Sequence, residues 1–206
     1  MPSESSPFAA LREEERRTRR RLIVDAAERV FARKPFERVS MREIAVEAGI
    51  SVSSIYRYFP DQQSLFAEAF TLGTREIIER AERRIGAGRI AGLRDFARLY
   101  VDFLIENDHY FRMMTHFMLD GRISGRPLEK LNRAARSVLD QFDRVMAQRG
   151  GQDDDRRLTA HAFFAALNGV LISFRQYPGR TPEDVRQHME VLAGLLAERF
   201  EGGGHG

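Results

Sequence analysis

The sequence predicts an all-α protein of about nine helices: three at the N-terminus, a long fourth, and a larger C-terminal bundle. Three observations carry this. Apolar residues recur at helical spacing along nearly the whole chain. No stretch shows sustained period-2 alternation with β-branched enrichment, so no strand is expected. Short clusters of Gly, Pro, Asn and Asp divide the helical stretches at regular intervals.

The first helix is expected over Arg12–Arg33, with an apolar stripe of Leu22, Ile23, Ala26, Ala27, Val30 and Phe31. Lys34-Pro35 ends it. Residues 1–11 read as a polar tail and residues 201–206 as a Gly-rich one. Ser40-Met-Arg-Glu43 is a capping box that opens a second, short helix, and Gly49 ends it where a left-handed residue is cheapest. A third short helix covers about Val52–Tyr58, closed by Pro60. Asp61 caps the long helix to about Ile85. The Gly-containing break at 86–92 is the best internal boundary. Further helices follow near Leu93–Glu106, Tyr110–Leu119, Leu128–Gln148, Arg156–Gln176 and Glu183–Phe200. Pro182 suits a first helical position.

Composition narrows the function classes. With 206 residues, 43% of them hydrophobic, the chain is one medium domain or a small one joined to a larger one. It has no cysteine, which excludes a disulfide framework, a thiol nucleophile and any Cys-ligated metal site. No apolar run approaches the ~18–20 residues of a membrane span. Met1 to Ala10 lacks the basic-then-apolar pattern of an export signal, so a cytoplasmic location without membrane partners is expected. The formal charge of +3 is too small to argue for nucleic acid. All basic residues but Lys34 and Lys130 are Arg; codon bias in a GC-rich genome accounts for that, and Arg also suits paired phosphate contacts.

No nucleophile elbow, phosphate-cradling Gly loop or HExxH pattern is present, and the histidines imply no metal set. An enzyme, a metal centre and a cofactor are therefore not expected.

The most specific pattern lies in Met41–Tyr58. Two short helices flank Ala48-Gly49-Ile50-Ser51, with Ala45 four residues before Gly49 and Ile55 six after it. A steep helix crossing needs a small residue at closest approach, and a tight turn favours positive φ; Ala45 and Gly49 supply these. Such spacing suits a helix-turn-helix, whose second helix lies in the DNA major groove. Ile44, Ile50 and Ile55 would seal a small core against Ile23, Ala27 and Phe31. Ser51, Val52, Ser53, Ser54 and Arg57 then form an outer face suited to phosphate and base-edge contacts, with Tyr56 and Tyr58 able to reach the backbone and Arg42 at the preceding helix start. Spacing alone equally permits a small non-DNA-binding three-helix unit.

Here the residues resemble the N-terminal DNA-binding domain of the TetR/AcrR family of bacterial transcriptional regulators. The likeness runs from about Leu22 to Phe70 and rests on Ala26-Ala27, Phe31, Phe36, Ser40, Ile44-Ala45, Ala48-Gly49-Ile50-Ser51, Ile55-Tyr56, Tyr58-Phe59 and Leu65. It implies a helix-turn-helix DNA-binding domain (12–60) and a regulatory ligand-binding and dimerisation domain (61–200) in a homodimer that reads an operator, most often as a repressor released by a small molecule. By that likeness Ser40, Arg42, Ser51–Ser54, Tyr56 and Tyr58 contact DNA. Three positions depart from the family: Pro35 and Ser53 replace Gly, and Gln62 replaces a phosphate-contacting Lys. Gln62 still donates a hydrogen bond without the charge, so affinity and salt slope should fall. The departures keep open a second reading, a ligand-binding or interaction protein of the same fold without operator binding. Arg16, Arg17, Arg19, Arg20 and Arg21 form a basic run that reads either as a phosphate-tracking arm or as a solvated helix face offset by Glu13, Glu14 and Glu15.

In the C-terminal half, Tyr110–Leu119 is apolar nearly all round and should be buried. The aromatic and Met-rich set Phe96, Tyr100, Phe103, Met113, Met114, Phe117, Phe142 and Phe164, with His116 and Asn168 as polar members, reads as core; the family likeness implies a pocket there for a small, largely apolar effector. Ala162, Ala165, Ala166, Gly169 and Ser173 lie on one broad face. With Leu192, Leu195 and Leu196 of the last helix they could pack within the chain or, as the likeness implies, form a four-helix dimer interface.

Overall fold

The computed structural model describes residues 7–120, 122–147 and 153–202. Among them are nine α-helices and no strand: α1 (Pro7–Arg33), α2 (Met41–Glu47), α3 (Val52–Tyr56), α4 (Gln62–Gly86), α5 (Leu93–Glu106), α6 (Asp108–Asp120), α7 (Gly125–Ala147), α8 (Asp153–Phe174) and α9 (Pro182–Gly202). A 3-10 turn, Phe36–Arg38, joins α1 to α2. The all-α architecture stands as the sequence predicts. The tail expectations for residues 1–6 and 203–206, the break at Gly121 and the one at Gly150-Gly151 lie outside the described residues.

The helix starts follow their caps. Ser40 accepts from the Glu43 N–H and Glu43 accepts from the Ser40 N–H, so the capping box is complete. Asp61 accepts from the Ser64 N–H at 2.6 Å and opens α4. Thr181 does the same for the Asp184 N–H at 3.1 Å, with Pro182 in the first turn of α9.

Three differences from the sequence reading have physical causes. First, α1 begins at Pro7, so residues 7–11 are helical and not tail. Residues 7–11 are exposed, and the ion pairs one turn apart lie beyond them, Arg17 to Glu13 at 3.6 Å, Arg19 to Glu15 and Arg21 to Asp25 at 2.9 Å. Second, Leu22 is exposed, and Val24 takes a buried place in the stripe. Third, Met118 and Leu119 are exposed, so α6 is not buried all round. One helix segment, Asp155–Phe174 in α8, is by length and composition apolar enough to cross a membrane, against the sequence expectation. Its apolarity serves two faces: Phe163, Leu167 and Leu171 are buried, while Leu158, Ala162, Ala165 and Ile172 are exposed.

The chain forms two compact units whose limits differ from the break at 86–92. The first comprises residues up to Leu72 together with His109–Leu131; the second comprises Gly73–Asp108 and residues from Asn132 onward. The division falls inside α4, because α6 packs rings on the N-terminal half of that helix: Phe117 lies 5.4 Å from Phe66 and 6.1 Å from Phe70. In the second unit α9 packs chiefly on α5 and α8. Glu201 of α9 accepts from the Leu93 N–H at 2.9 Å and so caps α5.

Candidate nucleic-acid interface

Local rules build the reading head. Ile44, Ala45 and Ile55 are fully buried, as are Ile23, Ala27 and Phe31 of α1, and α2 packs on both α1 and α3. Ile50, also expected in that core, is only half-buried. Between α2 and α3, Gly49 has φ +67°, the left-handed conformation that the turn demands. The Gly49 N–H donates to the Val46 carbonyl at 3.1 Å and the Ile50 N–H to the Ala45 carbonyl at 3.0 Å, closing α2.

Helix α3 is a single short turn and a half with Ile55 inward, so its remaining side chains point out. Val52, Ser53, Tyr56 and Arg57 are exposed, and Ser54 and Tyr58 are half-buried. Ser51 is the N-cap: its hydroxyl accepts from the Ser54 N–H at 3.2 Å. The hydroxyls of Ser53 and Ser54 lie 3.0 and 2.8 Å from it, and Arg57 donates to the Ser54 hydroxyl at 3.3 Å. Three serines and a guanidinium thus share one local network at the helix start. Ser40 and Arg42 are exposed on the neighbouring helix start, and Arg42 makes no ion pair among the described residues.

Gln62 is placed differently. Its side-chain amide donates to the Phe36 carbonyl at 2.6 Å, half-buried, and straps α4 to the 3-10 turn. The basic run divides by its partners. Arg20 pairs with Glu68 of α4 at 3.0 Å and lies 4.6 Å from the centre of the Phe59 ring. Arg16, Arg17, Arg19 and Arg21 sit on the exposed helix with acidic partners one turn away, pairs that contribute little in water.

The α2 carboxylates lean on α1. Glu47 accepts from Arg29 at 2.7 Å and Arg33 at 2.9 Å, and Glu43 pairs with Lys34. These hydrogen bonds hold both carboxyls below the usual Glu range, led by Lys34 at Glu43 and by Arg29 at Glu47.

The ten residues read as one aromatic and polar set fall into two groups. In the second unit, Phe142 lies 4.7 Å from Phe96, 5.3 Å from Tyr100 and 5.7 Å from Phe164, near-perpendicular throughout. The Tyr100 hydroxyl donates to Asn168 Oδ1 at 3.2 Å, and the Asn168 amide donates to the Phe164 carbonyl at 2.8 Å. Phe103 is buried in the same unit. Met113, Met114, His116 and Phe117 belong to the first unit. His116 Nδ1 lies 3.1 Å from the Phe31 carbonyl, and Phe117 packs on Phe66 and Phe70, all within the first unit. Sequence reasoning missed this, because the partners lie as far as 85 residues apart.

On α8, Ala162, Ala165, Gly169 and Ser173 are exposed along with Leu158 and Ile172, and Ala166 is half-buried. On α9, Val191 and Leu195 are exposed, whereas Leu192 and Leu196 are half-buried.

Residues 23–69 match the family model described as bacterial regulatory proteins, tetR family. This segment, which holds α2, α3 and the start of α4, is similar to the DNA-binding part of that family. An uncharacterised HTH-type transcriptional regulator of Haemophilus influenzae is 33% identical over 111 residues, which cover 52% of this chain and 54% of that protein. The chain thus spans about half the length of this curated relative. Among solved structures, the transcriptional regulator FadR of Bacillus subtilis, in complex with stearoyl-CoA, superposes with a TM-score of 0.71 at 19% identity, covering 89% of this chain and 98% of that one. FadR of Bacillus halodurans, a fatty acid degradation regulator, gives 0.67 at 15% identity, covering 95% and 97%. At these identities the likeness shows the fold. The relatives are transcriptional regulators, not enzymes.

Proposed function

We propose that the chain is a cytoplasmic, ligand-responsive transcriptional regulator that binds operator DNA sequence-specifically as a homodimer, most simply as a repressor released by a small molecule. The observation that carries this is α3: a capped short helix, anchored by one buried Ile55, presents Ser53, Tyr56 and Arg57 outward within the family-matched segment. Small hydroxyl side chains and Arg at a helix start suit entry into a major groove, where Arg pairs bidentately with guanine. Ser40 and Arg42 extend that face.

Two further features support the finer parts. The exposed small and apolar side chains of α8 and α9 are shaped for a second copy, since small residues let helices approach closely. Two reading heads then match half-sites ~34–36 Å apart. The buried rings around Phe142 favour a small, largely apolar effector, and the FadR complex with stearoyl-CoA is in keeping with that class. Since α4 runs through both compact units, an effector that shifts it changes the population of DNA-competent dimers. The inward engagement of Gln62 favours the second reading, loss of operator binding, only through one missing phosphate contact.

The test is selection of duplexes from a random pool by the full chain, followed by sedimentation of the complex. We expect one recurring, pseudo-palindromic sequence, two chains per duplex, and loss of binding in Tyr56→Ala. A chain that enriches no sequence is the ligand-binding protein of the second reading. A selected duplex bound by one chain would refute the dimer.

A further inference from the structure

Glu68, on α4, is the meeting point of elements that the sequence keeps far apart. One of its carboxylate oxygens pairs with Arg20 of α1 at 3.0 Å, and the other pairs with Lys130 of α7. Its side chain is only 17% exposed, against half or more for the acidic partners of Arg16, Arg17 and Arg19. Arg20 in turn lies 4.6 Å from the centre of the Phe59 ring, near enough for attraction to the ring face. Phe59 is buried, and its N–H donates to the carbonyl of Ile55 at 3.0 Å, in the last turn of α3. Lys130 is the penultimate residue before α7 passes into the second compact unit.

Charge arithmetic separates this node from an ordinary surface pair. With the carboxylate present, two cations are each paired. Without it, two like charges share a part-buried place, a more costly state than the loss of either cation alone. The carboxylate therefore fixes three helices in one register.

We propose that Glu68 is a positioning residue for DNA reading: held by Lys130, it sets the recognition helix through Arg20 and Phe59. This rests on the DNA-binding reading, but its core is testable without DNA. Hydrogen exchange of the full-length chain is measured for wild type, Lys130→Gln, Lys130→Arg, Arg20→Gln and the Arg20→Gln/Lys130→Gln double variant. Lys130→Gln should speed exchange in residues 52–59 by about fivefold, the low end of a coupling between sites, and Lys130→Arg should restore it. In the Arg20→Gln background the Lys130→Gln change should have no further effect on residues 52–59. A general loss of stability would instead add in both backgrounds. Unchanged exchange in Lys130→Gln, or an equal increment with and without Arg20, overturns the proposal. On a selected duplex, Lys130→Gln should bind about fivefold more weakly and Lys130→Arg like wild type; equal binding by all three overturns the positioning role. If the chain selects no duplex, the regulator reading fails and the exchange cycle still decides the relay.

Discussion

Replacing Gly49 by Ala isolates the one backbone demand on which the helix-turn-helix depends. Gly49 has φ +67°, and a Cβ built on it meets no atom within 4 Å. The new methyl therefore clashes with nothing, and the cost is conformational alone. A left-handed L-residue costs ~1–2 kcal/mol, while Ala stiffens the unfolded chain and recovers ~0.4–1 kcal/mol. The difference of the mid-range values is a net loss of about 0.8 kcal/mol, within bounds of roughly 0–1.6 kcal/mol. For a chain of this length a loss of about 0.8 kcal/mol lowers Tm by roughly 2–3 °C, at ~2–4 °C per kcal/mol. Gly49→Asn should fall between Ala and Gly, because Asn tolerates the left-handed region. Thermal unfolding followed by circular dichroism measures all three. Ala as stable as Gly would refute the positive-φ turn. A loss of about 3 kcal/mol or more would mean that the site is crowded, contrary to the open space around it.

Three further outcomes follow from named contacts. Tyr100→Phe should cost ~1–3 kcal/mol by leaving the buried Asn168 oxygen without its donor, and Tyr100→Phe/Asn168→Leu should cost less than the sum of the singles in urea unfolding. Gln62→Lys should release the Phe36 carbonyl and add a cation near the phosphates, so DNA binding should tighten and its salt slope steepen by about one phosphate contact, as measured by titration at several salt concentrations. Asp102 is buried, and burial raises its pKa although the Arg186 guanidinium at 2.9 Å pulls the other way. A folded-state pKa above the unfolded one adds stability at acid pH that is lost as pH rises through the carboxylate range. Asp102→Asn should therefore compare worst with wild type at acid pH and improve relative to it toward neutrality, by unfolding at several pH values. Glu43, Glu47, Glu106 and Asp184 have lowered pKa values and contribute the opposite slope, stability lost as pH falls.

What was legible in the sequence was local. The Ser40 and Asp61 caps, the Gly49 turn and the Pro182 start each work within four residues, and each is where the chain foretold it. The core of the reading head was equally legible, because helical spacing puts Ile44, Ala45 and Ile55 inward. The start of α1 was not: residues 7–11 are exposed, so no buried face marks them as helix. Pairings across the chain were also hidden. Gln62 finds Phe36 across 26 residues, Arg20 finds Glu68 across 48, and His116 finds Phe31 across 85. Gln62, expected as a phosphate contact without the charge, and His116, expected among the polar members of the aromatic set, each have a partner that no local pattern announces. The aromatic group around Phe142 was recognisable as core, while its division from Met113–Phe117 depends on where α6 packs.

The most direct test of DNA reading is the affinity ratio between a duplex selected by this chain and its scrambled counterpart at physiological salt, by fluorescence anisotropy. A specific regulator should prefer the selected duplex by ~10³-fold or more, with affinity for both falling as salt rises. Equal affinity for the two, or no salt dependence for either, would contradict the assignment of α3 as a recognition helix.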